Sequence, residues 1–584
     1  MKSLSSFQDK ARKYQSFKFK NLPIICIYLL STFMNLNIRN ATPTNAGSYS
    51  PHDDFLGVRL ANNILEGDWL GTWDNLTLAK PPGYPLYLSI VHFFPIQIVV
   101  FNQIIFCGFS LLFSITVTKF LVPSILSGKW LALFIYTLLI FNPYLFGIEM
   151  SRIYRTSAHT INVFAFVTFL GLLFINLENL VADRRDFIKQ KNRIYLIAAC
   201  LGLSYSTLIL LRSESYWILL SSIPFLARYA YLLLRTQSRV KKSNQRLSKI
   251  ILPIITISCL TYFAPIIVLG QLNSAKYGTS QIEDYYSGNF AKAIKAWQRV
   301  NVGKDPRPYV IISKAQRAAV YEVSSNARLM SEFLELPPGQ GWLVQPCNSP
   351  IKLCDNAGGW VTWQIRDAAL STGKIHSALD FQEFFRAIAV DIESACANGK
   401  FTCTKSGLGV GAKSIGELPM DLVWGYTYQN LQDSTPKNFV PTGEIASPDS
   451  FGASAEVVNL YHKVAKYNVE KTTPKDAAVK SQTLVNLQHV FFPVQQILLC
   501  IATVGYIFSY WNSKKRFIFS MLGFILIGMI ANALGVAITQ VSFGWRAGTG
   551  VYLLPINALF QIYIVIGLLS LVSTLYELRR PSHK

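Results

Sequence analysis

Negative charge is what this chain is short of: 32 Asp and Glu in 584 residues, against 55 Lys and Arg. In a chain dominated by apolar runs, an acid near the bilayer is expensive and is usually kept for a function. Other absences narrow the field. No phosphate-binding loop, dinucleotide fingerprint or Ser-His-Asp elbow occurs, which leaves ATP-driven transport without support. The cysteines outside the apolar runs have no Cys-x-x-Cys spacing and no nearby His pair, so a zinc site lacks its ligand pattern. Low-complexity tracts and short internal repeats are missing. The first apolar run lacks an Ala-x-Ala-like cleavage site and reads as a membrane anchor.

What is present is hydrophobic: 51% of residues are apolar or aromatic and only 15% are charged. Apolar runs near the roughly 18–25 residues needed to cross a bilayer as helix recur ten times, at 21–38, 97–120, 129–148, 158–180, 194–211, 215–234, 249–271, 488–511, 517–540 and 550–575. An N-terminal tail with Lys2, Lys10, Arg12, Lys13, Lys18 and Lys20 is expected in the cytoplasm. An alternating path then places 181–193, 235–249, Lys514-Lys515-Arg516 and Arg579-Arg580 on that same side, as the positive-inside rule requires. The expected fold is an α-helical polytopic membrane protein of about ten spans with a large, mainly helical extracytoplasmic insertion. Its parts are a basic tail (1–20), a seven-span module (21–271) whose first outer loop is 39–96, the insertion (272–486), three spans (487–576) and a cytoplasmic tail (577–584).

The net charge of +23 does not indicate a nucleic-acid partner, because residues 272–486 are nearly balanced, with 22 Lys and Arg against 20 Asp and Glu. The basic excess is topogenic, and the bilayer is the expected partner. Five cysteines, Cys26, Cys107, Cys200, Cys259 and Cys500, fall in the expected spans, where thiols pack as small hydrophobes. The other four, Cys347, Cys354, Cys396 and Cys403, share the insertion. An even set outside the cytoplasm reads as two disulfides, with local pairing preferred among three connectivities. Within the insertion, apolar spacing predicts helices near 290–300, 313–335, 361–371 and 379–398, and an irregular loop over 404–455.

The first outer loop carries the chemistry. It reads HDDFLGVRLANNILEGDWLGTWDNLTLAKPPGYPLYL from His52 to Leu88. Phe55, Val58, Leu60, Ala61, Ile64 and Leu65 make an apolar stripe, predicting an interfacial helix with Trp69 and Trp73 at its wet boundary. Asp53 and Asp54 fall at its start, where the helix dipole favours carboxylates. Adjacent side chains on a helix diverge, so different jobs are expected: one as general base, the other orienting, binding a second group or holding a cation. Capping alone would account for them if Lys80 were not in the same loop. Lys80 precedes Pro81-Pro82, which stiffen the turn that presents its ammonium, and phosphate is the natural partner for such a point charge. Arg152, Arg155, Arg212 and Arg546 are expected at outer span ends as further phosphate-binding groups. Glu214 beside Arg212, and His52, are candidates for orienting an acceptor. Each has a plain alternative: an interfacial ion pair for Arg212 and Glu214, a solvated loop residue for His52. Asn532 and Gln540 are expected to hydrogen-bond between helices. Asn40-Ala41-Thr42 and Asn75-Leu76-Thr77 are outward-facing sequons that matter only in a eukaryotic secretory compartment.

Asp53-Asp54, the helical stretch 55–66, Trp69 and Lys80-Pro81-Pro82 resemble the first outer loop of GT-C superfamily glycosyltransferases, in particular the branch of protein O-mannosyltransferases and lipid A aminoarabinose transferases. The resemblance covers about 50–90 closely, the first seven spans by hydropathy, and none of 272–486. It implies inverting transfer of a sugar from a polyprenyl-phosphate donor, with Asp53 or Asp54 as base and Lys80 with an arginine such as Arg546 stabilising the departing phosphate. No cofactor is required by it, although some relatives use a divalent cation. The O-mannosyltransferases carry a β-trefoil insertion, whereas this one reads helical, so their acceptor does not transfer. A bacterial inner membrane, with the site on the periplasmic or outer face, is the expected location. Two other classes compete: a secondary transporter, which needs ionisable groups near the midplane and repeated halves, and a receptor or assembly protein using 272–486 to bind.

Overall fold

A computed structural model describes residues 22–40, 42, 44, 46, 51–122, 128–182, 187–224, 227–228, 241–303, 310–337, 340–348, 355–356, 358–404, 418–434, 454–466, 474–511, 516–543 and 550–579. Among them, nine helices are long and apolar enough to cross a membrane. The chain is an α-helical, multi-pass membrane protein. The nine spans are Leu22–Asn40, Ile98–Leu121, Gly128–Phe146, Arg155–Glu178, Gln190–Leu211, Ile251–Tyr277, Gln488–Tyr510, Phe517–Ser542 and Tyr552–Leu578. The tenth expected span, 215–234, lies largely outside the described residues.

The helices that matter to the site are α1 (Leu22–Asn40), α2 (Asp54–Leu65), α3 (Gly83–His92), α4 (Ile98–Leu121), α5 (Gly128–Ile140), α6 (Arg155–Ala182), α7 (Phe187–Leu211) and α8 (Lys241–Tyr277). They continue with α9 (Gly288–Arg299), α10 (Lys314–Tyr321), α11 (Gly358–Ser371), α12 (Ala378–Ala397), α13 (Met420–Asp433), α14 (Ala455–Ala465), α15 (Pro474–Trp511), α16 (Arg516–Phe543) and α17 (Gly550–Arg579). The membrane core packs α4, α5 and α6 against α16 and α17 through Phe106, Phe164, Phe524, Leu559 and Tyr563. Spans α1, α8 and α15 leave most of their apolar side chains outside the protein core, which suits helices solvated by lipid. All Asp, Glu, Lys and Arg in the nine spans fall within the first or last four residues of their span.

The residues after α8 build a second core. Phe290, Ile294 and Trp297 recur at helical spacing on α9 and bury against Phe381, Phe385 and Ile388 of α12, with Val361 and Ile365 of α11 closing the cluster. Ser313 and Gln316 form a reciprocal cap that starts α10, satisfying end groups that would otherwise be orphaned. A two-residue antiparallel pairing, β1 (Val300–Asn301) with β2 (Thr402–Cys403), sits beside the Cys396–Cys403 disulfide. Cys347 is also disulfide-bonded, and Cys354 lies outside the described residues.

One expectation needs correction. Within the stretch read as irregular loop, residues 420–433 form α13, which packs Val423 against Ala537 and Val541 of α16. Asn430 donates to Gln540 Oε1 at 2.9 Å and to the Ala533 carbonyl at 3.1 Å. Gln540 is thus bonded between helices, but to a non-spanning one. Flanking Gly, Ser and Pro diluted the short apolar pattern in the sequence.

Candidate functional site

The site is assembled from five chain segments: the first loop, the start of α6, the turn after α7, residues 283–286, and α11. Local packing sets their register. At Gly57 of α2 a Cβ would meet the Tyr84 ring at 2.8 Å, and at Gly83 it would meet the Leu210 carbonyl oxygen at 2.4 Å. Only glycine permits these approaches, which seat the Lys80-Pro81-Pro82 turn against the end of α7. Arg39 at the end of α1 donates to the carbonyls of Leu145 at 2.8 Å and Met150 at 3.2 Å, fixing the stretch that carries Arg152 and Tyr154.

The two adjacent aspartates diverge, as helix geometry requires. Asp54 is fully buried and receives a bidentate pair from Arg152, Nε to Oδ2 and Nη2 to Oδ1, both at 2.7 Å. Asp53, the N-cap residue of α2, points elsewhere and pairs with Lys80 Nζ. Tyr154 donates its hydroxyl to the same Asp53 oxygen at 3.1 Å and accepts from Arg155 Nε at 3.1 Å. Arg155 Nη2 lies 3.9 Å from Glu214 Oε1, and Arg212 Nε donates to that oxygen at 2.9 Å. The Arg212 guanidinium in turn covers the Tyr552 ring at 4.5 Å. A continuous chain of charge therefore runs from Asp53 and Lys80 through Tyr154 and Arg155 to Glu214 and Arg212.

Asp53 keeps 43% side-chain exposure although protein surrounds it densely enough for desolvation to act strongly on it. That combination describes the wall of a recess rather than a flat surface. Burial pushes its carboxyl up, but the charge and hydrogen bond of Lys80, with Arg155 and Arg152 behind, hold it well below the usual carboxylate range. Burial pulls the Lys80 ammonium below the ordinary lysine value against the opposing pull of Asp53, so this cation depends on an anion beside it. Burial would likewise raise Glu214, yet Arg212 and Arg155 bring it down to about 2. The same desolvation, with the charges of Asp284 and Glu214 adding to it, lifts Glu283 to about 7.

The first loop is held to the segment after α8 by buried polar contacts. Arg366 of α11 pairs with Asp284 and donates through Nε to the Asn75 carbonyl at 2.7 Å. Asn75 Nδ2 donates to Asp367 Oδ1 at 2.6 Å, and Asp284 N donates to the Leu78 carbonyl at 2.8 Å. This corrects the sequon reading at Asn75, whose amide is committed to the interface. Trp69 and Trp73 also differ from expectation: Trp69 Nε1 donates to Asn273 Oδ1 at 2.7 Å, and Trp73 packs on Phe381. They seal a junction rather than a wet boundary.

Among the expected phosphate-binding residues, the structure brings Lys80, Arg155 and Arg212 together and commits Arg152 to Asp54. Arg546 lies outside the described residues. Glu214 sits between two arginines, and His52 lies edge-on to Trp342 and Trp363, with centroids 5.4 and 4.9 Å away. Tyr154 escaped the sequence reading, although its position between two arginines in RIYR was a usable signal. Trp363 and Trp342 escaped it too. Among the described residues no group of three or more His, Cys, Asp or Glu side chains could hold a metal ion, and Asp53 and Glu214, the two carboxylates of this chain of charge, are already countered by Lys80 or by arginines. This donor set does not fit a cation site.

Comparison of the chain with protein-family models, curated proteins and solved structures yields no match.

Proposed function

We propose that the protein transfers a sugar from a polyprenyl-phosphate donor to an acceptor at the non-cytoplasmic face of a membrane, as the first-loop resemblance to GT-C glycosyltransferases implies. The observation that carries this reading is the pairing of Asp53 with Lys80 in a recess at the span ends, with Arg155 one residue beyond.

The donor phosphate takes the Lys80 ammonium and the Arg155 guanidinium as its counter-charges. Losing Lys80 to the phosphate lets the Asp53 carboxyl rise toward its ordinary range, making it a competent base. Tyr154 holds the carboxylate in place. Asp53 accepts the proton of an acceptor hydroxyl as its oxygen attacks the anomeric carbon. The bond from that carbon to the phosphate oxygen breaks on the opposite face, and polyprenyl phosphate leaves with the bond's electron pair. Lys80 and Arg155 stabilise that growing charge, which is where fixed cations contribute most to rate. Asp54 and Arg152 hold the start of α2 in register and do not contact substrate. The placement of charged residues at span ends favours this reading over a secondary transporter, whose coupling groups belong near the midplane.

The test is transfer from a radiolabelled polyprenyl-phosphate sugar in proteoliposomes. Asp53→Asn is expected to lower turnover about 10²–10⁴-fold, the usual worth of a general base. Lys80→Ala is expected to lower both donor binding and turnover, because it touches the phosphate in ground and transition states alike. Unchanged transfer in Asp53→Asn would overturn the assignment.

A further inference from the structure

Lys80 Nζ stands 5.6 Å from the centroid of the Tyr154 ring and 5.6 Å from that of Trp363. Tyr154 belongs to the span side of the recess, at the start of α6. Trp363 belongs to the opposite side, on α11. The half-exposed positions of α11 are Trp360, Trp363, Asp367 and Leu370, spaced three, four and three along one helix face. That face turns toward the first loop, since Trp363 meets His52 and Asp367 meets Asn75. Trp342 completes it, donating through Nε1 to Asp367 Oδ2 at 3.1 Å.

We propose that Trp363, edged by His52, Trp342 and Asp367, forms a stacking subsite for a pyranose ring, so that the acceptor is a carbohydrate. This rests on Asp53 being the base of a glycosyl transfer. A pyranose presents two C–H faces and a rim of hydroxyls. The negative face of an indole attracts the slightly positive C–H groups, while a carboxylate and an imidazole in the rim plane take the hydroxyls. The recess offers that combination of half-exposed ring and peripheral polar groups. Lys80 covers the Trp363 ring at 5.6 Å while it pairs with Asp53, too close for a ring stacked at ~3.5–4 Å to fit between them, so the sugar takes this face once Lys80 has turned to the lipid phosphate. A hydroxyl on the far edge of the sugar then reaches the base. The two substrates enter from opposite sides: the lipid phosphate along the spans to Tyr154 and Arg155, the glycan from the soluble side over Trp363. Service as a cation–π partner alone does not account for Trp363, since Tyr154 already covers the same ammonium at an equal distance.

The test is direct binding to the full-length protein in detergent, saturated with polyprenyl phosphate so that Lys80 is drawn from Trp363. The probes are soluble hexasaccharides of glucose, mannose, galactose and N-acetylglucosamine, followed by tryptophan fluorescence and saturation-transfer NMR. Ring stacking discriminates weakly among pyranoses, so at least one should bind at about millimolar affinity or tighter. Trp363→Ala should weaken that binding about tenfold or more, Trp363→Phe should recover much of it by restoring an aromatic face, and His52→Ala should weaken it less than Trp363→Ala. Affinity for polyprenyl phosphate should be unchanged in Trp363→Phe. No binding by any hexasaccharide, or equal binding by Trp363→Ala, would overturn the proposal. So would a transfer product that partitions as lipid or precipitates as protein, and that outcome leaves the transferase reading intact. Trp363-dependent glycan binding without transfer from any polyprenyl-phosphate sugar would sink the transferase reading and leave the carbohydrate site standing.

Discussion

Two neighbouring aspartates should respond in opposite ways to the same substitution. Asp54 is fully buried, and Arg152, its bidentate partner at 2.7 Å, keeps 20% side-chain exposure. Removing one member of a well-buried pair costs about 3–5 kcal/mol, because the other charge is left uncompensated. Asparagine keeps one acceptor, and Glu149 Oε2 lies 4.0 Å from Arg152 Nη1, so the expected loss for Asp54→Asn falls to about 2–4 kcal/mol. By the scaling of larger domains, that lowers a melting midpoint by about 5–10 °C. Asp53→Asn breaks a pair whose acid is 43% exposed, and such pairs are worth no more than about 1 kcal/mol. The assay is the fraction of detergent-solubilised protein that stays monodisperse after heating. Asp54→Leu combined with Arg152→Leu should recover more than half of the loss, since a hydrophobic replacement of both partners leaves nothing uncompensated. If Asp53→Asn melts as early as Asp54→Asn, or Asp54→Asn melts like the wild type, the division of roles between them is wrong.

Two further outcomes test the segment after α8. Burial raises Glu283 to about 7 from its ordinary 4.5, so the folded state holds a proton that the unfolded state has released across that window. Stability should therefore fall as pH rises from about 4.5 to about 7, and Glu283→Gln should flatten the slope in pH-dependent thermal unfolding. The Cys396–Cys403 bridge spans a sequence separation of 7, a short loop whose closure is worth about 2 kcal/mol. Cys396→Ala with Cys403→Ala should speed limited proteolysis near β2, and non-reducing mass mapping should find the intact bridge in freshly purified protein.

Much of the architecture was legible because span-forming segments announce themselves by length and hydropathy alone, and the described spans fall where those runs predicted. Asp53 and Lys80 stood out because they bracket one outer loop beside long apolar runs, and the structure places them in contact. What the sequence hid depends on contacts between distant segments. Nothing local says that Arg152 reaches back across the chain to Asp54, so four arginines looked equivalent when two of them, Arg152 and Arg212, are drawn into buried pairs with Asp54 and Glu214. The aromatic wall was missed for a related reason. Trp363 lay unremarked inside the helix expected near 361–371, and only the docking of α11 on Asn75 turns that face toward Lys80.

The central claim is that one lysine is shared between the base and the lipid phosphate. Equilibrium binding of a polyprenyl phosphate to wild type and Asp53→Asn in nanodiscs tests it most directly. Neutralising Asp53 removes both the competitor for Lys80 and a repulsive charge beside the phosphate. The variant should therefore bind the lipid phosphate more tightly, by about tenfold for ~1.4 kcal/mol of relieved competition, while transfer is lost. Weaker or unchanged binding in Asp53→Asn would contradict the account, because Asp53 and the phosphate would then not compete for Lys80.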